Sequence, residues 1–331
     1  MVGSGLSRSK VKQERLRTCT TPQGLFTVVA VDHRAPLRNA IATARGPDGR
    51  ATAEDMAAFK SAVTRILGPH ASAVLLDPEY SLPILPQRPP QTGLILAYER
   101  TGYDTAVPGR LPELLPAWSV RRLAEAGAAG LKLLLYYNPR DEPAVNEVKH
   151  AFVERVGAEC QALEVLFFLE PVTYHEGLEP VEFARRKPAY VLAAVQEFSR
   201  DRYGVDVLKV QLPVDPPYVA GTRAGAGQPT LFSRAEALDH LRAVSNAAQR
   251  PLIFLSGGAT DEVFLEGLAL AGEADARFAG VACGRATWQD AVAVYAQRGL
   301  ASLEAWLADE GVRRVLAIND ALTAHATPWW G

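Results

Sequence analysis

GLKLLLYY, residues 130–137, is a strand-length run with a lysine at its third position. Apart from Lys132 it is apolar on both alternations, as a parallel strand buried on both faces must be. Seven further runs share this character: FTVVAVD (26–32), SAVLLD (72–77), GLILAYE (93–99), VLFFLEPVTY (165–174), VLKVQLP (207–213), PLIFLSG (251–257) and GVACGRA (280–286). Segments with helical spacing lie between them. AEDMAAFKSAVTRIL (53–67) places Met56, Phe59, Val63, Ile66 and Leu67 on one face, and similar patterns occupy 119–127, 142–163, 188–199, 233–249, 260–273 and 288–308. Thr260, ahead of Asp261 and Glu262, has the chemistry of a helix N-cap.

Eight strand-to-helix alternations predict an α/β fold of the closed (β/α)8 TIM-barrel type, as a single domain. An open doubly wound sheet usually carries a glycine-rich phosphate loop after its first strand. Here that position reads DHRAPLRN (32–39), without glycine. The predicted barrel covers residues 23–331, with 1–22 as a loose arm or leading helix. Two long loops, 83–93 and 215–233, fall on the carboxyl side of strands, where barrel active sites are built.

Composition narrows the function classes. The chain has 331 residues, nearly half of them hydrophobic, and a formal net charge of −2. No basic face or tail points to nucleic acid or a membrane surface. The start, MVGSGLSRSKVKQERLR, has no apolar core of a signal peptide, and no apolar run approaches the roughly 20 residues of a membrane helix. A cytoplasmic location is expected. Cys19, Cys160 and Cys283 are odd in number and form no CxxC pair, so reduced thiols are expected. Asp77 and Glu79 in LLDPEY offer oxygen ligands for a divalent ion. The six histidines are scattered, however, and ion pairing or loop capping by the two acids is the expectation, with no metal site.

Charges stand where a core should be. Lys132, Glu170 and Lys209 interrupt the fourth, fifth and sixth runs, and Asp32 closes the first. A charged residue in a buried strand is costly unless paired or functional. By alternation, Lys209 shares a face with Val207 and Gln211, Lys132 with Leu134 and Tyr136, and Glu170 with Phe168. Strands four to six are neighbours, so these groups converge at one barrel mouth. Two lysines and one glutamate would leave one excess positive charge. A second cation and a low dielectric both favour the neutral amine that attacks a carbonyl, and a carboxylate beside it can shuttle protons. Schiff-base chemistry is the expectation. After strand seven, Ser256, Gly257 and Gly258 precede the helix start at Thr260; after strand eight stand Gly284 and Arg285. Loops at these places form the usual phosphate site of a barrel, and Arg285 adds a charge-assisted fork.

LLDPEYSLP (75–83), GLILAYERTGYD (93–104), GLKLLLYYNP (130–139), FFLEPVTY (167–174), DVLKVQLPV (206–214), IFLSGGA (253–259) and GVACGRATW (280–288), with the tail TPWW (327–330), give the chain a family likeness. It resembles the class I tagatose-1,6-bisphosphate aldolases, within a broader group that includes sulfofructosephosphate aldolases. The resemblance implies that Lys209 is the Schiff-base lysine, Glu170 the catalytic acid/base and Lys132 an auxiliary lysine. It implies that Asp32 binds substrate hydroxyls, with His33 and Arg34 beside it, and that Ser256, Gly257, Gly284 and Arg285 hold the anionic end of a dihydroxyacetone phosphate half. It further implies cleavage of a phosphorylated ketohexose, first D-tagatose 1,6-bisphosphate, with no cofactor beyond the lysine itself. The chain departs from the family pattern at His33, where glutamine is usual, at Gln211, where an acid is common, and at Gly257-Gly258, where Ala-Gly is frequent. A sulfosugar-phosphate aldolase and a non-catalytic metabolite-sensing barrel are the alternative readings. The expected partner is a small phosphorylated sugar, and homo-oligomerisation is left open.

Overall fold

A strand buried on both faces needs neighbours on both edges, and eight of them satisfy one another only by closing. The computed structural model describes residues 9–100 and 109–330. Tyr103 and the first eight residues of the leading segment lie outside the described residues. The strands are β1 (Phe26–Ala30), β2 (Ala73–Leu76), β3 (Gly93–Ala97), β4 (Gly130–Tyr137), β5 (Leu166–Thr173), β6 (Val207–Gln211), β7 (Leu252–Leu255) and β8 (Gly280–Cys283). They form a closed barrel in sequential order, every pair parallel, with β8 returning to β1.

Alternation along each strand divides the core in two. Phe26, Val28, Leu75, Ile95, Phe168, Val207 and Ile253 fill the lumen, and Phe26 meets Phe168 edge-on at 5.8 Å. Val29, Leu76, Leu96, Leu131, Leu133, Phe167, Leu208 and Val210 face outward into the layer shared with the helices. Each such side chain contributes about 1.5–3 kcal/mol by leaving water.

Helix α1 (Lys10–Thr18) precedes the barrel. Helices α2 (Ala35–Ala44) and α3 (Ala53–Leu67) follow β1, α4 (Pro78–Ser81) follows β2, and α5 (Val120–Glu125) leads into β4. Then come α6 (Pro143–Ala162), α7 (Pro180–Phe198), α8 (Arg234–Ala247) and α9 (Asp261–Glu273), one after each of β4 to β7. After β8 stand α10 (Arg285–Trp288), α11 (Ala291–Trp306) and α12 (Val312–His325). Thr52 with Asp55, and Ser233 with Glu236, form reciprocal capping boxes that start α3 and α8. Thr260 caps α9, its hydroxyl accepting from the Val263 amide. Helices α2 and α12 go beyond the segments that helical spacing predicts.

The barrel floor is stoppered. Leu16 and Cys19, fully buried, join the lumen cluster from below. Lys12 pairs with Asp206 at 2.6 Å, and Arg15 donates to the carbonyl of Ala128 at 2.9 Å. β3 can pass this close only as glycine, since a Cβ on Gly93 would sit 2.7 Å from the Thr18 carbonyl. From the other end of the chain, the Thr327 amide donates to Phe278, the Trp329 amide donates to Gly24, and Trp329 packs against the lumen cluster.

Candidate active site

At the opposite end the strand register gathers the charges. Lys132 lies opposite Phe168, and Leu134 opposite Glu170; Phe168 lies opposite Val207. Continuing that register brings Glu170 level with Lys209. Pro171 has no amide proton for the ladder, and the β5–β6 pairing stops at Leu169 and Leu208. Above the break, the side-chain carbonyl of Gln211 accepts from the Thr173 amide and hydroxyl, both at 2.8 Å, and bridges the parted strands. An amide therefore serves at this position where the resembling family often carries an acid.

Lys209 Nζ stands 2.9 Å from Glu170 Oε2 and, among the described residues, meets no other carboxylate at ion-pair distance. Lys132 Nζ meets three: Glu99 at 2.7 Å, Asp32 at 2.8 Å and Glu170 at 3.2 Å. All five groups are buried. Burial opposes the charge on Lys132, but Asp32, Glu99 and Glu170 together outweigh it and hold the ammonium well above the usual lysine range. Burial likewise works against the Asp32 carboxylate, and Lys132, His33 and Lys209 overcome it, leaving Asp32 well below the usual range. His33 goes the other way. Burial outweighs the pull of Asp32, the cations Arg285, Lys60 and Lys209 add to it, and its imidazole falls to about 4. His33 packs edge-on to Trp288 at 5.2 Å, and its buried Nδ1 lies 3.7 Å from Asp32, too far for a hydrogen bond.

These groups line a cavity of about 500 Å³, together with Arg34, Arg100, Leu134, Tyr136, Gly257 and Arg285 among others. Gly257 and Gly258 both have left-handed φ angles, +62° and +92°, and a Cβ on Gly258 would meet the Arg285 guanidinium at 2.9 Å. Gly258 thus leaves the room that the Arg285 guanidinium occupies, and no carboxylate pairs with Arg285 among the described residues. Ser256 and Gly284 lie one residue back along the chain and are not among the residues lining the cavity; Gly284 stands at the N-cap of α10. Arg34 lines the cavity with its guanidinium already engaged. It donates to Glu79 at 2.8 Å and to the Glu99 carbonyl at 2.7 Å.

The excess positive charge expected from two lysines and one glutamate is corrected here. Around the two lysines Asp32, Glu99 and Glu170 give three carboxylates against Lys132 and Lys209, and the further cations Arg34 and Arg285 line the same cavity beyond them. Glu99 closes the third apolar run as Asp32 closes the first, so the same signal is present there. Asp77 is spent on Lys60 and on capping α4, accepting from the Glu79 and Tyr80 amides at 3.0 and 2.9 Å. Among the described residues no three His, Cys, Asp or Glu side chains are placed to share a metal ion. The three cysteines are buried and free.

A family model described as DeoC/LacD family aldolase matches residues 26–290. The tagatose 1,6-diphosphate aldolase of Listeria monocytogenes serotype 4a is 40% identical over 326 residues, 97% of this chain and 94% of its own. The tagatose 1,6-diphosphate aldolase 1 of Enterococcus faecalis is 43% identical, covering 96% of both chains. Among solved structures, a fructose-bisphosphate aldolase of Plasmodium falciparum superposes with a TM-score of 0.70 over 97% of both chains at 14% identity. A Schiff-base-forming fructose-1,6-bisphosphate aldolase gives 0.56 over 89% of this chain and 97% of its own, at 17% identity; at such identities these likenesses speak for the barrel fold alone. A model match across most of the barrel and relatives of this identity along nearly the whole length establish that the chain belongs to the DeoC/LacD family of aldolases.

Proposed function

We propose that this protein is a class I aldolase in which Lys209 forms a Schiff base with a phosphorylated ketohexose, D-tagatose 1,6-bisphosphate foremost, and releases dihydroxyacetone phosphate and glyceraldehyde 3-phosphate. The observation that carries the assignment is the inequality of the two lysines. Lys132 hydrogen-bonds to Glu99 and stands at ion-pair distance from Asp32 and Glu170, and these carboxylates hold it as a cation, which cannot attack a carbonyl. Lys209 has one carboxylate partner, placed to take its proton.

In this reading Lys209 Nζ adds to the C2 carbonyl, and Glu170 protonates the departing hydroxyl as the carbinolamine loses water. The protonated imine then draws the electron pair of the C3–C4 bond, while Glu170, again a carboxylate, takes the C4 hydroxyl proton as the aldehyde leaves. The resulting enamine is protonated at C3, and water hydrolyses the imine to free the second product. Lys132 keeps Asp32, Glu99 and Glu170 together without joining the covalent chemistry. Asp32 and the neutral imidazole of His33 face the sugar hydroxyls, and Arg285 with the Gly257 backbone receives a phosphate. The steps use no metal. A phosphorylated sugar as substrate supports a cytoplasmic location.

Borohydride reduction in the presence of dihydroxyacetone phosphate tests the core of the proposal. Wild type should gain the mass of one reduced adduct and the Lys209→Ala variant none. An adduct on that variant, or none on wild type, would refute it. A panel of tagatose, fructose and sulfofructose phosphates then ranks substrates, and a chelator should leave the rate unchanged.

A further inference from the structure

Lys60 has no part in the chemistry above, yet it is one of the most completely buried charges in the molecule. It sits in the middle of α3 with no exposed surface, on the stripe otherwise made by Met56, Phe59 and Val63. A buried ammonium is tolerated only when its protons are all bonded. Lys60 bonds to the Val31 carbonyl at 2.5 Å, the His33 carbonyl at 2.9 Å and Asp77 Oδ2 at 2.5 Å. The two carbonyls belong to the residues on either side of Asp32. One amine therefore grips the backbone before and after the aspartate, from the helix side, while the Asp32 carboxylate points across the lumen to Lys132 at 2.8 Å.

Asp77 extends the grip to a second arm. Its other oxygen caps α4, whose Glu79 holds Arg34, and Arg34 holds the main chain of Glu99. Glu99 then meets Lys132 at 2.7 Å. Two of the three carboxylates on Lys132 are thus placed by chains of contacts that start at one buried pair.

We infer that Lys60, anchored by Asp77, is a positioning residue that fixes Asp32 and, through Glu79 and Arg34, Glu99 around Lys132. This role rests on the aldolase reading of the same cavity. Lys60 touches no substrate and acts only through the groups it holds, so its loss should impair turnover more than binding.

The test uses the full-length Lys60→Met/Asp77→Asn variant, in which both buried charges leave together and an oxygen remains to cap α4. With folding confirmed by circular dichroism, kcat on the bisphosphate should fall 10- to 100-fold with KM changed less than threefold. Asp32→Asn should then cost at least fivefold less in this background than in wild type, because the two sites act as one unit. A folded variant with kcat within twofold of wild type, or an equal cost of Asp32→Asn in both backgrounds, overturns the inference. If the double variant does not fold, Asp77→Asn alone decides: a fall in kcat beyond threefold supports the inference and a smaller one overturns it. Absence of turnover by wild type in the same assay would count against the aldolase reading instead.

Discussion

His33 gives a stability prediction that needs no substrate. Its imidazole titrates near 6.5 in the unfolded chain and at about 4 in the fold, where burial outweighs the attraction of Asp32. The unfolded chain therefore gains a proton below pH 6.5 that the folded protein declines until about pH 4. Stability from this group is complete above pH 6.5 and is lost as pH falls through that window. At about 1.4 kcal/mol per pH unit, the loss between pH 7.5 and 5 is about 2 kcal/mol. His33→Gln removes the titration and installs the residue that the resembling family usually carries, so the fold should accept it. Urea unfolding of both proteins at pH 7.5, 6.5, 5.5 and 5 isolates the term, because all other groups are shared. The stability difference between them should shift by about 2 kcal/mol in favour of the variant on going to pH 5. Curves that stay parallel within about 0.5 kcal/mol would refute the argument that the imidazole is held neutral by burial.

Lys132→Met should leave Asp32, Glu99 and Glu170 crowded without a cation and cost about 3–5 kcal/mol in urea unfolding at pH 7, less so at lower pH as the carboxylates protonate; a cost below about 1 kcal/mol would show that the cluster is looser than its distances suggest. Arg285→Ala should reduce kcat/KM for the bisphosphate about 10- to 100-fold, as loss of a charged hydrogen bond worth about 1.5–3 kcal/mol requires, while borohydride trapping on Lys209 persists. Deleting residues 327–331 should lower the thermal midpoint by several degrees and leave kcat within twofold, since Trp329 packs at the floor and away from the mouth; a tenfold loss of kcat would contradict that separation.

Much of this architecture is legible because buried parallel strands leave an unbroken apolar signature. GLKLLLYY coincides with β4 from end to end, and the other seven runs each contain their strand. Alternation then places Lys132, Glu170 and Lys209 in one lumen, since side chains on a strand have only two directions. The helix α2, with arginine, asparagine and threonine among its alanines, lacks a clean periodic stripe, and tertiary packing of Leu37 and Ile41 decides it instead. Glu99 is hard to single out because a terminal acid on an apolar run is as readily a solvated end as a ligand for a buried lysine. Lys60 is hidden by its own helix. It occupies a core position four residues after Met56 and three before Val63, and only the carbonyls it meets, from a distant loop, explain a charge there. Register and parity are local properties, whereas the partner of a lone buried charge is a property of the closed fold.

Among the described residues, the packed floor leaves the cavity opening toward the carboxyl ends of the strands. Leu16, Cys19 and Trp329 pack into the lower end, and the amine at 209 lies in the cavity at the mouth with Tyr136 and Arg285. In the proposed aldolase, a sugar filling that opening would displace water from around the amine. On the aldolase proposal, sugar, products and the hydrolytic water would share this mouth, so whatever occupies it governs exchange at the amine.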